Sequence, residues 1–60
     1  MNEPDLKALQ EMIHSIETAA KGLMENAEGI QAIECNAKRI LASAKMLKIN
    51  VSDVMDLKRS

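Results

Sequence analysis

A glutamate and a histidine one helical turn apart, Glu11-Met-Ile-His14, are spaced so that both could ligate one metal ion. The same E-x-x-H step supplies ligands in di-iron carboxylate bundles, where two such pairs act with two further glutamates. A symmetric dimer would complete that set if Glu17 or Glu34 also faced inward. The heptad phase opposes it. Ile13 and Ile16 occupy the apolar seam, so Glu11 and His14 fall on the outward f and b positions, and we read them as a solvated helix face. Phosphotransfer at His14 has less support still, because it needs a lysine nearby and a glycine one turn on, and Lys21-Gly22 lie too far along.

Other chemistry is scarcer. Cys35 is the single cysteine, with neither a neighbouring histidine nor a helix N-terminus to acidify it, so a small buried or half-buried hydrophobe is the expectation rather than a nucleophile. One histidine and two isolated glycines assemble no Ser-His-acid arrangement, Gly-rich phosphate loop or paired catalytic carboxylates. The expectation is therefore a non-enzyme with no cofactor, no catalytic residue and no metal ligand. Basic residues concentrate late, at Lys38, Arg39, Lys45, Lys48, Lys58 and Arg59, and Ile49-Asn50-Val51-Ser52 has the look of the turn that opens a recognition helix. Asp53 and Asp56 follow at once, where phosphates would repel them, and no aromatic ring is present to stack on a base. Nucleic-acid binding through the basic second half is accordingly the alternative reading and not the first.

These residues must be positioned by helices. The chain has 60 residues with 47% apolar and 0% aromatic side chains, and the shortage of Val, Thr and aromatics argues against a sheet. At this size a chain buries only about 60% of the surface that unfolding exposes. One cysteine permits neither an intramolecular disulfide nor a Cys-rich zinc site, which leaves association with another chain as the available staple. Apolar runs are short and the opening Met1-Asn-Glu-Pro-Asp5 is acidic, so neither a membrane span nor a signal peptide is expected, and the expected location is the cytoplasm.

In the first half, Leu6, Leu9, Ile13, Ile16, Ala20, Leu23 and Ala27 follow alternating steps of three and four, one face of a helix. The rhythm restarts as Ile30, Ile33, Ala37, Ile40, Ala44, Leu47, Val51 and Val54. Continuing the first register would instead put Glu34 and Lys48 in the seam, so a break is expected between about residues 22 and 29. End-capping chemistry favours Lys21-Gly22-Leu23 as the helix end, with Asn26 capping the next helix and Glu28 in its first turn; the alternatives are a break at Gly29, or one uninterrupted helix. The expected elements are a helix over about 4–21 opened by Pro4, a turn over about 22–26, a helix over about 27–49, and a short helix over about 52–58 started by Ser52.

Large residues dominate one seam position, at Leu9, Ile16, Ile33, Ile40 and Leu47, and alanines recur at the other, at Ala20, Ala37 and Ala44. Such alternation suits close packing in a bundle, and two helices alone cannot cover each other's apolar faces. The expected fold is all-α, a helical hairpin assembling as a dimeric antiparallel four-helix bundle, with Leu9, Ile13, Ile16, Ala20, Ile33, Ala37, Ile40, Ala44 and Leu47 at its interface. That layout is similar to known helix-hairpin dimers in architecture alone and implies no ligand. A second stripe, Cys35, Ala42, Met46 and Ile49, is expected to be covered by the short last helix, the alternative being a docking face for another protein.

Charge is split between the halves: two lysines against six acids over residues 1–30, six basic residues against three acids over 31–60. Pairing of Glu17 and Glu25 with Lys38, Arg39 or Lys45 is the expected use of that split. The functional expectation is a small interaction module, an adaptor, accessory subunit or regulator, that binds itself and another cytoplasmic protein. A nucleic-acid-binding regulator is the alternative, and a metal-binding bundle a distant one.

Overall fold

The computed structural model describes residues 5–59 and is an antiparallel pair of helices, α1 (Leu6–Asn26) and α2 (Gln31–Arg59), joined by a four-residue turn. No strand occurs among the described residues. Asp5 caps α1: its carboxylate accepts from the Ala8 N–H at 3.1 Å, while its carbonyl accepts from the Leu9 N–H at 3.0 Å. The carboxylate thereby satisfies one otherwise orphaned donor of the first turn, and the carbonyl takes the first bond of the helix ladder. The expected role of Pro4 lies outside the described residues.

The break falls at Gly29 and not at Gly22. Gly22 is helical, and Asn26 serves the end of α1 instead of starting α2, its side-chain amide donating to the Gly22 carbonyl at 2.7 Å. The chain then reverses through two left-handed residues, Glu28 at φ 51° and Gly29 at φ 85°. Glycine adopts that conformation without the steric cost a Cβ brings, which fixes the turn there. Ile30, at the start of the second helix, has no capping side chain. Its backbone suffices: the Ile30 N–H donates to the Ala27 carbonyl at 3.0 Å, and the Ile30 carbonyl accepts from Ile33 and Glu34, each at 3.1 Å.

A second difference is at the C-terminal end. The expected short helix over 52–58 is not a separate element, because α2 runs unbroken through Ile49-Asn50-Val51-Ser52 to Arg59. Packing overrides the weak local propensity. Val51 is buried beside Ile13 and Ala44, and Met55 and Leu6 pack against that cluster, so the helix is held on both sides of Ser52.

The helices meet along residues seven apart: Ile13 and Ala20 on α1 with Ala27 just past its end, and Ala37, Ala44 and Val51 on α2, with the four alanines 1–2% exposed. Alanine at the contact lets the two backbones approach closely. It also leaves little to bury, and among the described residues no large side chain is fully enclosed. Burying an Ile or Val is worth about 1.5–3 kcal/mol, against about 1–2 kcal/mol of backbone entropy for each residue ordered.

The two glycines should therefore respond oppositely to alanine. Gly22→Ala adds a methyl that meets nothing within 4 Å, and we expect stabilisation approaching about 1 kcal/mol. Gly29→Ala forces a Cβ into a left-handed residue and should cost about 1–2 kcal/mol. Thermal melts of both variants at one protein concentration check this; a break centred on Gly22 would reverse the order.

Candidate interaction site

Each helix has an edge on either side of the contact row, and the hairpin closes only one of the two pairs of edges. On the closed edge lie Glu17, Met24 and Gln10 from α1 with Glu34, Leu41, Lys48 and Met55 from α2, most of them buried or half-buried. This edge follows the first-half register continued into α2, the phase that places Glu34 and Lys48 in the seam. Glu17 is 6% exposed, and its Oε1 accepts from the Lys48 ammonium at 3.2 Å. The expected pairing of Glu17 with Lys38, Arg39 or Lys45 is thus not made within the hairpin, because those three project from other sides of α2. Gln10 reaches the Met55 sulfur at 3.3 Å on the same edge. An open cleft of about 300 Å³ lies beside them, lined by Gln10, Ile13, Lys48 and Ser52.

The other edge is open. Of the nine expected interface residues, Ile13, Ala20, Ala37 and Ala44 form the floor between the helices, while Leu9, Ile16, Ile33, Ile40 and Leu47 line the open side and remain 37–42% exposed. Leu23, Ile30 and Val54 extend the same rows. Toward the chain ends the rows flank a groove of about 360 Å³ walled by Leu6, Leu9, Met12, Ile16, Leu47 and Val54 together with Asn50, with Ile13 and Val51 at its base. The alternation of large and small residues thus divides the labour: alanines join α1 to α2, and the branched aliphatics face outward together.

Sequence reasoning missed the closed edge. Following only the more apolar seam makes Glu17 a surface charge, yet it is buried, and its spacing of three from Ala20 and four from Ile13 marks it as a seam neighbour. The Cys35, Ala42, Met46 and Ile49 stripe is not covered by a returning helix; all four are exposed on the outer side of α2. Cys35 is therefore not the buried or half-buried residue expected. Ile49–Ser52 lies inside α2, so no helix-turn-helix corner forms there. Glu11 and His14 are both exposed, and among the described residues no three of His, Cys, Asp or Glu come together as a metal cage. None of the helices described is long and apolar enough to cross a membrane.

Compared with protein-family models, with curated proteins and with solved structures, the chain finds no match in any of the three.

The Glu17–Lys48 pair generates a test of the closed edge. Lys48→Met removes the partner of a buried carboxylate and should cost about 1 kcal/mol, a figure discounted because the lysine side chain is itself 59% exposed. Adding Glu17→Leu should return stability to the wild-type value or above, since an apolar pair fits the same seam. Chemical denaturation of the single and double variants would show it; a double variant less stable than Lys48→Met would place Glu17 elsewhere.

Proposed function

We propose that this chain is a small non-enzymatic interaction module that functions as a homodimer, two hairpins closing into an antiparallel four-helix bundle through their open faces. The observation that carries the reading is the chemistry of that face. From Leu6 to Leu57, no charged residue occupies the floor, the two aliphatic rows or the flanking positions Met12, Ala19, Asn26, Asn36, Ser43 and Asn50. Between those residues every charge falls on the remaining positions of the helices. A face that is apolar at its centre and uncharged at its margins suits a partner of the same kind, which a second copy supplies.

Area supports the same conclusion. The hairpin exposes 4897 Å², whereas a compact monomer of 6.6 kDa is expected to expose about 3,900 Å². Covering the excess of about 1,000 Å² on each copy would bury about 2,000 Å² in total, the range of stable homodimers. The bundle would be a platform whose outer surfaces, including the basic residues of α2, remain available to another protein. Adaptor, accessory-subunit and regulatory roles all fit that arrangement.

Thermal unfolding followed by circular dichroism should therefore shift upward as protein concentration rises, because folding and association are linked. Ile40→Asp, which puts a charge among aliphatics at the centre of the face, should abolish association, while His14→Gln on the exposed side should change stability by about 0.5 kcal/mol or less. A melting midpoint independent of concentration would contradict the dimer. Binding to polyanions that falls steeply with the logarithm of salt concentration would favour the nucleic-acid alternative.

A further inference from the structure

We infer that the back of α2, the side turned away from α1, is a second docking surface whose occupant is an acidic amphipathic helix of another protein. This partner rests on the interaction-module reading above, and its site is separate from the dimer face.

Three columns of residues seven apart make up the surface. Cys35, Ala42 and Ile49 run along the middle, on the side of α2 opposite the Ala37, Ala44 and Val51 row that meets α1. Arg39 and Met46 lie on one side of them, and Lys38 and Lys45 on the other. All are exposed, Met46 at 58% and Ile49 at 51%. The back of α1, by contrast, is polar throughout at Glu11, His14, Thr18, Lys21 and Glu25. Steps of four, three, four and three lead from Cys35 through Arg39, Ala42 and Met46 to Ile49, the spacing at which one helix seats another. Arg39 fits such a seam, because its stem packs on apolar neighbours while the guanidinium reaches outward.

Charge identifies the occupant. From Cys35 to Ser52 every charged residue is basic. Lys48 is taken by Glu17, whereas Lys38, Arg39 and Lys45 make no ion pair among the described residues. These three border the middle column on both sides, so a helix with apolar residues at i, i+3, i+4 and i+7 and carboxylates beside them matches both features at once. A second copy does not, because the back of α1 brings acids without apolar residues and that of α2 is itself basic. Nucleic acid would use the charges and leave Ala42, Met46 and Ile49 in water. Asp53 and Asp56 close the surface at its C-terminal end. Cys35 to Ile49 spans about 21 Å at 1.5 Å per residue, so the bound segment is about four turns long.

Two synthetic helices with the same leucine seam, one flanked by glutamate and one by lysine, test the site by fluorescence anisotropy, with polyglutamate and duplex DNA as polyanions that lack the seam. The glutamate-flanked helix should bind about tenfold more tightly than any of the other three. Met46→Gln with Ile49→Gln, both on the exposed surface, should weaken it about tenfold, and Lys38→Glu with Lys45→Glu should reverse the preference in favour of the lysine-flanked helix. Both variants should keep the sedimentation mass of the unmodified protein. Binding that survives the Met46 and Ile49 changes would seat the helix elsewhere and overturn this site. Equal or tighter binding of polyglutamate or DNA would overturn the occupant and favour the nucleic-acid alternative. Absence of saturable binding up to about 1 mM would overturn site and occupant together, and a dimer mass in the same sample would leave the dimer standing. Helix binding by a protein of monomer mass would instead overturn the dimer and leave this site.

Discussion

The packing of α1 on α2 through alanine governs the rest of this structure. Ala20, Ala27, Ala37 and Ala44 are almost completely buried and let the helices approach closely, but a methyl group removes little apolar surface from water. A contact built this way positions the helices without supplying much stability. Apart from Ile13 and Val51, which enter the contact beside Ala44, the larger aliphatics lie at its edges. Glu17, Leu41 and Lys48 close one edge within the hairpin, and the leucines and isoleucines of the other edge are left half in water.

The polarity of the two edges follows from the same constraint. On the closed edge a buried carboxylate is tolerable because Lys48 reaches it from solvent along a long apolar stem. An ion pair of this kind contributes little net stability, and its value is in fixing register, since sliding the helices past one another would strand Glu17 in an apolar seam. The open edge contains no charge that would need such a partner. Its uncharged margins are compatible with burial, and burial there would supply the apolar area that the alanine floor does not.

Much of this was legible in the sequence. Alternating steps of three and four from Leu6 to Ala27 and from Ile30 to Val54 specify two amphipathic helices, and absence of aromatics and β-branched runs removes the sheet alternatives. What the pattern concealed was that each helix has two seams sharing the Ile13, Ala20, Ala37 and Ala44 row. Counting only the more apolar one pointed to the open face and missed Glu17, Lys48 and Leu41 on the other. The turn was misplaced for a related reason. Gly22 has the better local capping context, but reversal requires successive left-handed residues, and Glu28-Gly29 supplies them where the alanine rows of the two helices come into register. At Asn50–Ser52 local propensity predicted a helix end, and burial of Val51 with support from Met55 outweighed it.

The central claim, that the open face is covered by a second copy of this chain, is tested most directly by sedimentation equilibrium of the unmodified protein over a wide micromolar range. The account predicts a single species of twice the 6.6 kDa chain mass, dissociating only on dilution together with loss of helicity. A folded, fully helical species at the monomer mass throughout that range would contradict it.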